Sequence, residues 1–379
     1  MKIVHICLSC FYIDGYSYQE NELVKQHVAQ NHDVLVIAST ENYVDAKLTY
    51  VTPGQYQGKD GANVIRIPYI SWLPHKVATK LRIHSGLYSL LISFSPDVIV
   101  FHGLCGWELR TVCSYKKNNP SVRLWVDSHE DHNNSARTFG SRLLHKIYYR
   151  TIIRSVEEVL QKVLCVSLDT MTFVEEMYGI SKEKLEFYPL GAKVYTDDEY
   201  VFIREEARKE LQVNDNNIVF VQSGKQTVRK KLIESLTAFN QILDDNFRFL
   251  IVGSLAKDIE REALQLINKD PRVIYLGWKT SEQLSSILCA ADVYVQPGTQ
   301  SATMQMALGA RCAIILDNVI SHKPYANDTG WLISHSSELK DIFKKISIKQ
   351  DVSNEKVSSG LFATQSLDYR KLAERLFHD

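Results

Sequence analysis

The chain of 379 residues exceeds what one hydrophobic core ordinarily supports, so two domains are expected. Apolar residues make up 45% and charged residues 23%, an ordinary globular balance without low-complexity runs. Basic and acidic residues number 44 each, so nothing marks nucleic acid as a partner, and no apolar run approaches the roughly 18 residues of a membrane span.

The chain opens on Lys2–Cys7, too short and too soon polar for a signal peptide and expected to be a buried first strand. A helix is predicted over Tyr18–Gln30, with Leu23, His27 and Val28 at core spacing. Short apolar, β-branched runs follow at Val34–Ala38, Val64–Pro68, Val98–His102, Leu124–Ser128 and Val163–Val166. They alternate with helical patterns, which indicates a parallel sheet covered by helices. The longest helical pattern, Ser141–Gln161, carries Leu144, Ile147, Tyr148, Ile152, Val156 and Val159 on one stripe. A polar run over Tyr195–Arg208 and then Asn214–Asn217 shows no core pattern and separates the halves, with the boundary near residue 192. Beyond it strands are predicted at Ile218–Gln222, Arg248–Val252, Val273–Leu276, Val293–Gln296 and Ala313–Leu316. Helices are predicted at Lys230–Leu243, Lys257–Asn268, Thr280–Ala290, Thr303–Leu308 and Ser337–Ile346.

The fold class is therefore α/β, with two doubly wound halves whose ligands belong at the carboxyl ends of both sheets and hence in a cleft between them. Neither half has G-x-G-x-x-G after a strand, and no P-loop occurs, which disfavours a nicotinamide or flavin dehydrogenase and excludes a P-loop ATPase. Of seven scattered cysteines, Cys7 and Cys10 form a lone C-x-x-C. It reads as two small residues ending a core strand, and reduced thiols suit a cytoplasmic protein.

Several segments carry a family likeness. In the second half these are Val221-Gln222-Ser223-Gly224-Lys225 with Lys230, Phe249–Gly253, Val273–Gly277, Leu284–Pro297 and Thr329-Gly330-Trp331-Leu332. In the first half they are Val166-Ser167 and Tyr188-Pro189-Leu190-Gly191, and near the end Ser366–Arg370. Together they resemble glycosyltransferases of the GT-B fold, family 4 in particular. The resemblance implies two Rossmann-like domains: residues 1–192 on the acceptor side, 193–360 binding a nucleotide sugar, and 361–379 forming a helix that crosses back to the first domain.

Transfer from a nucleotide sugar requires that the departing diphosphate be neutralised, which fixed cations and helix N-termini accomplish. Lys225 and Lys230 stand where the resemblance places the phosphate-binding Arg/Lys pair, after Gly224 and beside Arg229 and Lys231. A lysine at 225 keeps the charge and loses the planar fork of arginine. Gly253 ends the next strand of the donor half. A solvated helix start is the bland alternative, although clustered cations there oppose the helix dipole unless an anion binds.

The departure from the family lies between Gln296 and Gly309. Two glutamates are usual there, and this chain has no carboxylate between Asp292 and Asp317. Met304 falls in the second glutamate's slot. Ser301 is a candidate N-cap, with the backbone N–H groups of Ala302 to Met304, Thr303 among them, expected to be free for phosphate, and Gln300 or Gln305 is a neutral candidate for the ribose contact.

In the first half, Asp127-Ser128-His129-Glu130-Asp131-His132 ends a strand. His129 resembles the family histidine that contacts the transferred sugar. Glu130 and Asp131 are candidates to orient or deprotonate an acceptor hydroxyl, with a metal site and a plain capping loop as alternatives. With retaining, front-face attack, the departing phosphate takes that proton itself. Gly15 and Tyr16 follow the first strand, and His102 ends another; each is a candidate for the acceptor side or cleft.

Two basic, aromatic helices, one with Trp72, Lys76, Lys80 and Arg82, the other with Arg142, Lys146, Tyr149, Arg150 and Arg154, are either solvated faces or a surface for anionic lipid headgroups. The resulting expectation is a cytoplasmic glycosyltransferase, hexose-transferring and retaining, with a peripheral place at the inner face of the membrane as one option. It would use a nucleoside diphosphate sugar and a glycan or lipid-linked acceptor in cell-surface polysaccharide (lipopolysaccharide or capsule) assembly, without cofactor, metal or nucleic acid. The alternative is a catalytically degenerate binding or scaffold subunit.

Overall fold

A computed structural model describes residues 1–44, 47–298 and 301–377. The chain forms two compact units, one of Met1–Pro189 with Leu372–Asp379 and the other of Leu190–Lys371. Each is a Rossmann-like domain built on a largely parallel sheet.

In the first unit the strands in chain order are β1 (Lys2–Cys7), β2 (Asp33–Ser39), β3 (Glu41–Val44), β4 (Lys47–Tyr50), β5 (Gly54–Gln57), β6 (Asn63–Ile67), β7 (Val98–Phe101), β8 (Arg123–Ser128), β9 (Val163–Cys165) and β10 (Leu185–Phe187). The sheet order is β10-β9-β8-β7-β1-β2-β6-β5, parallel except for the β5–β6 pair, while β3 and β4 form a separate hairpin. The central strands are apolar on both faces because helices cover both sides. Val4, Ile6, Ile99, Phe101 and Val126 are buried in one continuous core with Phe173 and Tyr178.

The strand order reverses between β1 and β7, where His5 lies opposite Val100 and Ile6 opposite Phe101. Ligands of such sheets bind outside the carboxyl ends of the strands at that reversal.

The helix predicted over Ser141–Gln161 is interrupted. It runs as Phe139–Leu144, a wide π-turn over His145–Tyr149, and Arg150–Val156. The turn accompanies His145, whose Nδ1 lies 2.7 Å from the Tyr178 hydroxyl in the core.

The second unit has β11 (Ile218–Ser223), β12 (Phe247–Val252), β13 (Val273–Gly277), β14 (Val293–Gln296), β15 (Ala313–Asp317) and β16 (Gly330–Ile333). All its pairs are parallel, in the order β13-β12-β11-β14-β15-β16, so the reversal lies between β11 and β14.

Two expectations for this half are corrected. The polar run over Tyr195–Arg208 contains a 14-residue helix, Asp197–Glu210, opened by a Thr196/Glu199 capping box. Its inward face is polar as well as apolar. Arg204 donates to Asp292 at 2.6 Å and to the carbonyls of Cys289, Ala290 and Ala291, while Arg208 reaches Asp292 and the Asn214 and Asn217 carbonyls. Lys356 and the Val219 N–H complete the shell of this buried carboxylate. The second correction concerns Lys230. It closes a short 3₁₀ turn, Val228–Lys230; Lys231 turns left-handed at φ 53°, and the helix starts only at Leu232.

Candidate functional site

In the second unit the site forms at the carboxyl ends of β11 and β14. After β11 the chain turns through Gly224, at φ 108°, to the exposed Lys225. Gly253, directly after β12 at φ 119°, needs to be glycine, since a Cβ there would stand 2.0 Å from the Gly224 oxygen.

The basic turn is fixed from two sides. Buried Gln222 donates to the Lys230 carbonyl at 2.9 Å, and Gly298 packs so close that a Cβ would lie 2.1 Å from the Arg229 oxygen. Neither Gln222 nor Gly298 stood out in the sequence as a positioning residue, although both sit within segments that did. Lys231 is drawn away from any ligand by Asp317, at 3.0 Å. Lys230 is half-buried, and burial, with the neighbouring Arg229 adding to it, lowers its ammonium to about 8.

Beyond β14, Ser301 caps the helix Ala302–Gly309 by accepting from the Thr303 N–H. The Thr303 hydroxyl bonds Ser301 and the Tyr294 hydroxyl, and the latter donates to Gln296 at 2.6 Å. The cap closes most of the first turn: the Ser301 hydroxyl takes the Thr303 N–H and the Ser301 carbonyl takes the Met304 N–H, which corrects the expectation that the N–H groups from Ala302 to Met304 stand free for phosphate.

Gln305 is fully buried 3.3 Å from the Tyr325 hydroxyl, and its amide is satisfied when it also donates to the Ser301 and Ala302 carbonyls. It braces the turn from inside, which corrects its candidacy as a ribose contact. Met304 is also fully buried, so the slot of the family's glutamate points into the core. Gln300 lies outside the described residues.

In the first unit the site forms around β1, β7 and β8. His102, just beyond β7, has Nδ1 2.5 Å from Asp127 Oδ2, and the Gly103 N–H donates to Asp127 Oδ1 at 2.7 Å. The other ring nitrogen of His102 lies 2.9 Å from His5 Nδ1 on β1. His5 Nε2 is 2.8 Å from His27 Nδ1, and His27 Nε2 is 3.2 Å from the Ala373 carbonyl. His129 Nε2 stands 3.7 Å from Asp127 Oδ2 on the outer side.

The sequence marked His102 and His129 separately; the structure joins them through Asp127 and backs them with His5 and His27. Burial alone would depress His102, but the carboxylate outweighs it and raises the imidazole to about 10. His129, likewise opposed by burial, is raised by Asp127 to about 9. Asp127 is disfavoured as an anion by burial, yet His102 and His129 hold it well below the usual carboxylate range. Burial keeps His5 well below the ordinary imidazole value and lowers His27 to about 4.

The remaining candidates divide. Glu130 accepts from the Ser128 hydroxyl, and its carboxylate faces Arg82 and Cys105. Asp131 is committed to its own turn, accepting the Asn133 and Asn134 N–H groups at 2.6 and 2.9 Å, which favours the capping-loop reading for this residue. Gly15 occupies a left-handed turn at φ 75° followed by the exposed Tyr16. Among the described residues no group of three or more His, Cys, Asp or Glu is placed to hold a metal ion.

The second unit thus presents a glycine-lined strand end flanked by cations, and comparison with known proteins places both that unit and the fold. Residues 215–347 match the family model described as glycosyl transferases group 1. No curated protein matches the chain by sequence. Among solved structures, the sucrose-phosphate synthase of Thermosynechococcus elongatus is 14% identical, with a TM-score of 0.68 over 100% of this chain and 97% of that one. HepE of Anabaena in complex with UDP is 14% identical, at 0.65 over 100% and 98%. WaaG, a glycosyltransferase of lipopolysaccharide biosynthesis, is 14% identical, at 0.59 over 98% of both chains. The fold of the whole chain is thus the GT-B fold, and the family match is confined to residues 215–347 of its second unit.

Proposed function

We propose that the chain transfers a hexose-type sugar from a nucleoside diphosphate sugar to a glycan or lipid-linked acceptor, with retention of configuration, in cell-surface polysaccharide assembly. The observation that carries this reading is the strand-end cradle of the second unit. There the Gly224 turn, Lys225 and the Gln222-braced Arg229-Lys230 turn gather positive charge at the carboxyl end of β11, with Gly298 packed against the Arg229 carbonyl. Such a cradle meets the charge that develops on a leaving diphosphate and needs no proton transfer. HepE, with the same fold, is known in complex with UDP and with UDP-glucose, which supports a nucleotide sugar as donor.

In this reading Lys225 and Lys230 neutralise the diphosphate, with Arg229 beside them. The ribose contact falls to backbone or to Gln300, because Gln305 and Met304 face inward. His129 meets the transferred sugar, and Glu130 is the carboxylate closest in sequence for orienting an acceptor hydroxyl. No resident metal or cofactor is assigned a step.

Peripheral contact with anionic lipid is part of the proposal. Trp72 is 75% and Phe139 85% exposed, and Leu143 and Ile147 stand out beside Lys146 and Arg142. The helix carrying Lys76 and Lys80, His75–Leu81, ties to this surface through Tyr148, whose hydroxyl donates to the Leu81 carbonyl. Arg82 and Tyr149 do not join that face: Arg82 donates to the Cys105 carbonyl and lies over the buried Tyr149 ring. Among the described residues no helix is long and apolar enough to cross a membrane.

Calorimetric titration with UDP, GDP and ADP tests the reading. Saturable binding of one of them, weakened in Lys230→Ala, is expected; binding of none removes the nucleotide-sugar assignment.

A further inference from the structure

The imidazole chain in the first unit has a direction, and the direction fixes where a proton sits. Its far end is the Ala373 carbonyl oxygen, which can only accept, so His27 Nε2 carries a hydrogen. Burial keeps His27 neutral, and its bare Nδ1 accepts from His5 Nε2–H. His5 is neutral in turn, and its bare Nδ1 accepts from His102 Nε2–H. Between His102 Nδ1 and Asp127 Oδ2, at 2.5 Å, a further hydrogen must lie, since two lone pairs would repel there. The other Asp127 oxygen is already occupied by the Gly103 N–H. The pair therefore holds one hydrogen more than a neutral imidazole and a carboxylate would. Against the opposing effect of burial, Asp127 raises the His102 ring and His102 lowers the carboxyl, which favours that hydrogen on the ring.

We propose that His102 is a positioning residue for His129: its charge holds Asp127 as a fixed anion behind His129, and His5 and His27 supply the acceptor that lets His102 keep its second N–H. The proposal rests on the assignment of His129 to the transferred sugar. The groups facing the pair come from every element around it. His5 and Cys7 lie on β1, Glu20 and His27 on the helix Gln19–Ala29, Asp127 on β8 and Cys165 on β9, with His129 and Cys10 toward Asp127. A buried ion pair of this kind is expensive compared with apolar packing and contributes little to stability by itself, which argues for a role at the site. The competing explanation is purely structural. The same chain anchors the last residues of the first unit, where Phe377 packs on His27 and Trp125 donates to the Leu376 carbonyl.

Nitrogen-15 NMR of the histidine rings in the intact chain, assigned by single substitutions, reads the proton directly. Both ring nitrogens of His102 should be protonated from pH 6 to pH 8, His5 and His27 should be neutral with hydrogen on Nε2, and His129 should titrate above the ordinary imidazole range. A neutral His102 at pH 7, a His27 hydrogen on Nδ1, or an ordinary His129 midpoint overturns the proposal without any variant having to fold. The second arm is His102→Gln in donor hydrolysis as a function of pH. Glutamine can donate but carries no charge, so the buried Asp127 carboxyl should titrate into the working range and move the acid limb up by about one pH unit or more. A lower rate or stability with an unmoved pH profile would leave His102 merely structural. Absence of turnover in the unsubstituted chain would sink the transferase reading and the positioning role together, while the ring pattern would show whether the buried proton itself was placed correctly.

Discussion

Nucleoside diphosphate binding should weaken at alkaline pH, and Lys230 should be the cause. Its ammonium is lowered to about 8 by burial, with Arg229 contributing. It is therefore about nine-tenths protonated at pH 7 and about one-tenth at pH 9, by the ordinary titration relation. A diphosphate prefers the charged form, so binding draws a proton onto Lys230 and the affinity should fall about tenfold between those two pH values. Replacing the side chain removes a charge-assisted contact of about 1.5–3 kcal/mol, so Lys230→Ala should raise Kd roughly 10- to 150-fold at pH 7. The variant should also flatten the pH dependence, because the titrating group is gone. The assay is calorimetric titration of the nucleotide at pH 7, 8 and 9 in buffers of different ionisation enthalpy, which also counts the protons taken up. An affinity equally steep in pH after the substitution would refute the role of Lys230, whatever its effect at pH 7.

Two further outcomes follow from the geometry. Asp292→Asn leaves Arg204, Arg208 and Lys356 crowded without their carboxylate and should cost about 3–5 kcal/mol in denaturant unfolding of the second unit. Burial would raise this aspartate, but Lys356 and Arg204 hold it below its ordinary value. Its stabilisation is therefore present above the ordinary aspartate range and lost as pH falls through the lower folded value; a loss under about 1 kcal/mol would contradict the network. Trp72→Ala with Phe139→Ala should reduce sedimentation with vesicles containing anionic lipid several-fold, and added salt should reduce it further; unchanged sedimentation would remove the proposed lipid face.

The alternation of strands and helices could be read from the sequence because the central strands are apolar on both faces. Lys2–Cys7 and Val293–Gln296 coincide with the observed β1 and β14. The hairpin strands Glu41–Val44 and Lys47–Tyr50 and the edge strand Gly54–Gln57 went unnoticed because they are short, polar and at most partly buried. The helix Asp197–Glu210 was hidden for a different reason. Its buried residues include Arg208 beside Tyr200 and Ala207, and the acid that receives Arg208, Asp292, lies 84 residues onward. Only the Thr196-x-x-Glu199 capping signal was local enough to reveal it.

The site divides along the same line. The Gly224-Lys225 turn and the Ser301 cap are local patterns, whereas the pairing of His5 with His102 spans 97 residues and that of His102 with Asp127 spans 25. No motif joins such positions; the sheet order does, by placing β1 beside β7 and β7 beside β8. Gln305 shows the converse. A polar residue in a ligand-binding stretch looked available, and the helix turned it toward Tyr325.

The most direct measurement of the account is release of nucleoside diphosphate from a panel of nucleotide sugars, with and without glycan and lipid-linked acceptors. Turnover of one donor class is expected, faster with acceptor and reduced at least tenfold in Lys230→Ala. A nucleotide that binds tightly while no sugar is ever released from any donor would contradict it and leave the chain as a binding subunit on a glycosyltransferase fold.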